Sequence, residues 1–157
     1  MAKEIWSREE VVRGKKIIFS WLHSKDAVVI LAKRADNKIA FVQQRRPAID
    51  KILLELPAGG IEKGEDPLLA AQRELKEETG WTGSDWMLLT SYFPSPGITD
   101  EKMYVFSCKL KDQADQELDE GEEIDVLYFT PEEALNMIKR KEIIDGKTII
   151  ALLLSSL

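Results

Sequence analysis

The chain is poor in the residues that mark secreted, membrane and nucleic-acid-binding proteins. It has one cysteine in 157 residues, Cys108, so it forms no internal disulfide and reads as a protein of the reducing cytoplasm. His23 is the sole histidine and lacks a motif partner; neither residue is assigned chemistry, and Cys108 reads as a small apolar strand residue. A basic excess is missing too: 22 Lys+Arg face 28 Asp+Glu, a net charge of −6, which argues against a broad basic surface for nucleic acid or anionic lipid. The longest strongly apolar run, residues 149–154, falls far short of the ~20 residues of a membrane span. No basic-then-apolar leader is expected, because Ile5 and Trp6 are followed by Ser7, Arg8, Glu9 and Glu10. Repeats, low-complexity tracts and Ser/Gly linkers are absent. What is present, 44% apolar and 32% charged residues, suits one domain with a sizeable core.

Residues 26–33 (DAVVILAK) form a β-rich run, the turn residues 35–38 follow, and 39–44 (IAFVQQ) supply a hairpin partner. Further strands are expected at 52–56, 86–93, 103–110 and 124–129, with another at 17–22. Asp66-Pro67 predicts a helix start and Gly80 its end. Thr130-Pro131-Glu132-Glu133 opens a second helix running to about Arg140, and a third covers about 147–154. Strands outnumber helices without strict alternation, which points to an α+β protein, a mixed β-sheet with helices packed on it, rather than a doubly wound fold.

The most informative segment is 59–81, GGIEKGEDPLLAAQRELKEETGW. At 100° per residue, Glu74 and Glu78 project about 40° apart and Glu77 about 60° to the other side. Leu68, Ala71 and Leu75 form the core stripe, while Ala70 leaves room in the acidic sector. Carboxylates at this spacing repel by a few tenths of a kcal/mol per pair, roughly. As hard oxygen ligands they suit Mg²⁺ or Mn²⁺. A solvated acidic face is the plain alternative for an isolated E-x-x-E-E.

The wider spacing, Gly59-x5-Glu65-x7-Arg73-Glu74-Leu75-x-Glu77-Glu78-x-Gly80-Trp81, resembles the signature box of the Nudix hydrolases; Trp81 departs from the usual bulky aliphatic but is large and apolar. The resemblance implies the Nudix fold, a mixed sheet sandwiched between helices (α/β/α), and divalent cations held against a substrate diphosphate. By it, Glu74 and Glu78 are the principal metal ligands with the backbone carbonyl of Ala58. Glu77 assists directly or through water, and Arg73 pairs with Glu65 or Glu77 to hold the carboxylates in place. Mg²⁺, with Mn²⁺ as a substitute, would activate water to split the diphosphate into two monophosphates.

Two flanking segments narrow the substrate. Pro96, sixteen residues past Gly80, lies in the loop 92–101 (YFPSPGITDE), which is similar to that of the ADP-ribose pyrophosphatase branch; by itself the loop reads as a turn between strands. Gln43-Gln44-Arg45-Arg46-Pro47 and Leu54-Glu55-Leu56-Pro57-Ala58-Gly59 resemble the same branch. There the arginine at Arg46 contacts substrate and the glutamate at Glu55 lies near it; Pro96 and Gly97 mark the substrate loop. Box and flanks span residues 43–123, about half the chain. The loop 115–125 (DQELDEGEEID) holds seven carboxylates. It reads as a solvated loop by composition, but the resemblance places a further ligand and the catalytic base there. Glu122 aligns best with the ligand and Glu120 with the base, the choice among Glu120, Glu122 and Glu123 remaining open. For the base of the substrate, Trp21, Phe19 and Trp6 precede the domain where such enzymes place stacking aromatics, a core role being the alternative for each; Trp21 is the residue selected.

The expected organisation is an N-terminal β segment over 1–24, dimer-forming, and a Nudix hydrolase domain over 25–157. The resemblance implies a homodimer that hydrolyses ADP-ribose to AMP and ribose 5-phosphate, a small-molecule substrate with no nucleic-acid or membrane partner. Other nucleoside diphosphate derivatives, such as nucleotide sugars and dinucleoside polyphosphates, are the alternative substrates. A non-catalytic ADP-ribose sensor is disfavoured because Arg73, Glu74, Glu77 and Glu78 are all in place.

Overall fold

The structure, a computed structural model, describes residues 4–118 and 123–155. Its strands are β1 (Glu4–Val12), β2 (Lys15–His23), β3 (Ala27–Lys33), β4 (Ile39–Arg46), β5 (Lys51–Glu55) and β6 (Ala58–Gly60). After helix α1 (Pro67–Thr79) come β7 (Trp81–Tyr92), β8 (Met103–Gln113) and β9 (Ile124–Phe129), then α2 (Pro131–Lys139) and α3 (Gly146–Leu154). β1 and β2 form their own two-stranded sheet, and the other seven strands form a second, with the path β5-β4-β3-β8-β7. β6 pairs with β3 and β9 with β4, off that path. The β3–β8 pair is parallel and the rest are antiparallel, so the sheet is mixed.

β3 explains the architecture. Its side chains alternate across the sheet, and both faces are covered. Val28, Ile30 and Ala32 pack with Ala70, Ala71 and Leu75 of α1. Val29 and Leu31 pack on the other face with Ala134 of α2 and with Ala151 and Leu152 of α3. Burial on both sides is why the run reads as continuously apolar. Leu31 is fully buried, and truncating it to alanine costs about 2–5 kcal/mol. Cys108 lies in the α1-side core, where burial pushes its thiol up to about 12 and keeps it unreactive near neutrality.

Three elements extend beyond the expected strands. The N-terminal segment is a complete hairpin whose turn, Arg13-Gly14, has φ of 51° and 77° at its two central residues, the handedness a two-residue hairpin favours. β7 begins at Trp81 rather than 86, because register shifts absorb the turn-like Gly83 and Asp85, the latter at φ 54°. Residues 58–60, outside the expected strands, pair as β6 with β3. No helix of the described residues is long and apolar enough to cross a membrane.

Candidate active site

Local chemistry sets α1 at a fixed angle to β6. The Asp66 carboxylate accepts from the Leu68 N–H, Pro67 occupies the first turn, and Gly80 ends the helix at φ 73°. A Cβ at Gly80 would strike the Ala114 carbonyl oxygen, so only glycine lets the helix end lie against the start of the loop that follows β8. Gly59 plays the matching role on β6, since a Cβ there would overlap the Glu74 carboxylate. The β6 backbone therefore touches the acidic face of the helix directly.

Arg73 is the organiser of that face. Its Nε and Nη2 donate to Glu65 at 3.0 and 3.1 Å, and Nη1 donates to Glu74 at 2.7 Å and to Glu77 at 2.9 Å. Nη2 also donates to the Gly60 carbonyl at 2.9 Å, tying helix to strand. The hydrogen bonds it donates to Glu65 and then Glu74 raise the guanidinium pKa above its ordinary value, and Arg73 in turn lowers that of Glu65. Glu78 is buried and accepts from the Ala58 N–H at 3.0 Å. Gln44 joins Glu74, Glu77 and Glu78 around a cavity of about 340 Å³, and its buried Oε1 has no hydrogen-bond partner. Among the described residues, no group of three carboxylates, histidines or cysteines is already converged on one point. The donor set nevertheless suits a hard cation: the carboxylates of Glu74, Glu77 and Glu78 and an unpartnered neutral oxygen line one small space, and Arg73 holds two of those carboxylates in place.

A second charged cluster stands beside it. Arg46 grips Glu55 with two parallel bonds, Nε–Oε1 at 2.7 Å and Nη2–Oε2 at 2.6 Å. Lys147, from α3, contacts the same carboxylate and reaches Asp145 at 3.1 Å. Glu55 is only 1% exposed. Burial raises its pKa, but the bonds from Arg46 and Lys147 outweigh that and hold it below the ordinary value. Arg46 and Lys147 both line a larger cavity of about 1150 Å³, which shares Ala58, Gly59 and Gly60 with the smaller one.

The far wall of that cavity comes from the N-terminal hairpin and the loop 93–102. The Asp100 carboxylate accepts from Trp21 Nε1 at 3.0 Å, pairs with His23 Nδ1 at 2.8 Å and accepts from the Ser24 N–H at 2.9 Å. These three bonds, His23 first, hold Asp100 down to about 2. The Leu22 N–H donates to the Ile98 carbonyl at 2.8 Å. Trp6 stacks on His23 with ring centres 3.7 Å apart, and both rings line the cavity.

The residues singled out from sequence therefore fall into three places. Arg73, Glu74, Glu77, Glu78 and Ala58 surround the small cavity, and Arg46 lines both cavities with Glu55 behind it. Trp21 turns its indole N–H onto Asp100, while Pro96 and Gly97 form the exposed turn of their loop; none of the three lines the larger cavity, to which that loop contributes Phe93, Pro94, Thr99 and Glu101. Glu120 and Glu122 lie outside the described residues. The start of their loop is fastened to the end of α1, with the Glu117 N–H on the Glu77 carbonyl at 2.9 Å, Glu117 paired with Lys76, and Gln116 Nε2 on the Glu78 carbonyl. Lys147, Asp145 and His23 are not singled out from sequence, and Gln44 and Tyr92 stand in the two flanking segments without a role of their own. Of these, Lys147 and Asp145 carried a detectable signal, a basic and an acidic residue at the start of a helix that is otherwise apolar.

Comparison with known proteins agrees with this geometry. A profile of the NUDIX domain matches residues 23–152. The chain is 43% identical to a methanol dehydrogenase activator of Bacillus methanolicus over 80% of this chain and 69% of that one. It is 39% identical to an ADP-ribose pyrophosphatase of Bacillus subtilis over 91% of this chain and 78% of that one. A crystal structure of an ADP compounds hydrolase superposes with a TM-score of 0.83, covering 98% of this chain and 84% of that one at 18% identity, which shows the shared fold. With the box residues Glu65, Glu74 and Glu77 gathered by Arg73 at the acidic face of α1 and the loop before it, the chain belongs to the NUDIX domain family.

Proposed function

We propose that this chain hydrolyses the diphosphate bond of ADP-ribose, giving AMP and ribose 5-phosphate. The observation that carries the reading is the joining of two cavities at residues 58–60, one acidic and one lined by Arg46 and Lys147. The similarity to an ADP-ribose pyrophosphatase over most of both chains supports the choice of substrate.

Hydrolases of this family use divalent metal ions, and here Glu74, Glu78 and the Ala58 carbonyl would hold them, with Glu77 in support. Mg²⁺, or Mn²⁺ in its place, would supply there the positive charge that lets an anionic diphosphate approach carboxylates, and would lower the pKa of the attacking water. Arg73 keeps the carboxylates oriented through its fork of bonds. Arg46, aimed by buried Glu55, binds a phosphoryl oxygen of the substrate. Water adds to one phosphorus, the bridging P–O bond breaks, and the two monophosphates leave. The acidic loop supplies the base that takes the water's proton, assigned to Glu120, and a further ligand, Glu122. Trp21, Pro96 and Gly97 complete the proposed substrate residues, acting through the wall that Asp100 fastens to the hairpin.

The reading includes a cytoplasmic homodimer built through residues 1–24. Its support is the apolar surface of the hairpin, where Ile5 is 74% and Ile18 69% exposed on a two-stranded sheet that is marginal alone. The test is to incubate the purified protein with Mg²⁺ and ADP-ribose, GDP-mannose, a dinucleoside polyphosphate and an oxidised nucleotide, and to separate the products by chromatography. AMP from ADP-ribose is expected. Brisk turnover of another compound with none from ADP-ribose overturns the substrate assignment.

A further inference from the structure

Among the described residues, two buried side-chain polar atoms lack a hydrogen-bond partner, Gln44 Oε1 and the Tyr92 hydroxyl. Both residues line the joined cavities, Gln44 the acidic one and Tyr92 the larger one. Folded proteins keep few such atoms, and each calls for an explanation. Gln44 faces the carboxylates already described. Tyr92 has no part in that site.

Tyr92 ends β7 opposite Met103 and packs against the core cluster on the α3 side of the sheet. A phenol oxygen lies on the ring axis, so a ring flip does not carry it to another partner. Burial first, and then the carboxylates of Asp145 and Glu101, push the phenol up to about 12. The hydroxyl is therefore a protonated donor across the neutral range. The Asp145 carboxylate is engaged by the Thr148 N–H at 3.0 Å, the Thr148 hydroxyl at 2.7 Å and Lys147. Asp145 and Glu101 are the charges that act most on this phenol, while Arg46 and Lys147 elsewhere in the cavity are the groups suited to phosphate, so the ligand group matched to the hydroxyl is a neutral oxygen.

We propose that Tyr92 is a specificity-determining residue whose hydroxyl donates a hydrogen bond to a sugar hydroxyl oxygen of the bound substrate. This deepens the reading of the chain as a hydrolase of a sugar-bearing nucleoside diphosphate, and rests on it. The enzyme then separates diphosphates that carry a sugar on the second phosphate from those that do not, because a substrate lacking the hydroxyl leaves the phenol unpaired.

The test is Tyr92→Phe, which removes one oxygen and keeps the ring. Wild type and variant are assayed with Mg²⁺ on ADP-ribose and on an ADP ester carrying a plain alkyl group in place of the ribose, and their thermal unfolding is compared. The expected result is a fall of about tenfold in kcat/KM for ADP-ribose, little change for the alkyl ester, and a melting temperature equal or higher. An equal fall on both substrates assigns the hydroxyl to the diphosphate and overturns the proposal. Unchanged kinetics with a higher melting temperature show a hydroxyl that no substrate uses, and also overturn it. Wild-type protein inactive on ADP-ribose and on nucleotide sugars defeats the functional reading itself, and this proposal with it; an active wild type with an indifferent Tyr92→Phe defeats this proposal alone.

Discussion

Two arginine clusters meet at residues 58–60 and are built to different charge ratios. Around Arg73 the carboxylates are in surplus, with Glu65, Glu74 and Glu77 on one guanidinium and buried Glu78 satisfied in part by a backbone N–H. Around Arg46 the charges balance, Arg46 and Lys147 against Glu55 and Asp145. The comparison teaches that similar ion pairs do different work. A balanced cluster fixes a side chain in place; a surplus of acid is tolerated only where positive charge arrives from outside the chain.

The largest effect that separates the two clusters is expected from Glu78→Gln. It removes one ligand charge, and its loss in kcat should exceed the ~10–100-fold typical of removing a ligand-supporting group, with folding retained. Near-normal turnover would sink the metal role given to Glu78. Arg73→Ala follows. Without its fork the acidic face loses its organiser, and Mg²⁺ affinity measured by calorimetry should fall about 10–100-fold, with Arg73→Lys recovering only part because one ammonium cannot replace a planar fork. An unchanged titration for Arg73→Ala would show that the carboxylates need no such support.

In the balanced cluster, the expected signature is a change in KM. Lys147→Met leaves Arg46 and Glu55 paired but unbuttressed, so KM for the substrate should rise several-fold with kcat nearly kept; a fall in kcat alone would place Lys147 in the chemistry instead.

How far these clusters were legible in the sequence follows from how they are made. The acidic face lies within one helix, where spacing, the Asp66 cap and the Gly80 stop are all local, so α1 appears at its expected bounds. The Arg46 cluster draws Lys147 from 92 residues beyond Glu55, across the sheet, and no periodicity reports such a contact. Trp21 shows the same. Of the three aromatics named before the domain, Trp6 lines the cavity while Trp21 has its N–H held by Asp100, a contact 79 residues away that no local pattern reports. β7 is expected only from residue 86, and pairing with β8 carries it back to Trp81 through the turn-forming Gly83 and Asp85.

The smallest effect concerns the wall that Asp100 fastens to the hairpin. Its carboxyl is held from 3.8 down to about 2 in the folded protein, so the stabilisation is complete above about pH 4 and is lost as pH falls through about 2. Asp100→Asn should lower the melting temperature slightly at neutral pH, and the gap from wild type should close between about pH 4 and 2. A gap independent of pH would show that charge at Asp100 is irrelevant.

The most direct test of the central claim, that the acid surplus on α1 holds the cations for diphosphate hydrolysis, is AMP formation from ADP-ribose as Mg²⁺ is titrated into wild type and Glu78→Gln. The expected result is wild-type turnover that rises with Mg²⁺ and disappears with a chelator, and a variant that stays inactive while its melting temperature remains near that of wild type. Turnover insensitive to the chelator, or equal in the two proteins, would contradict it.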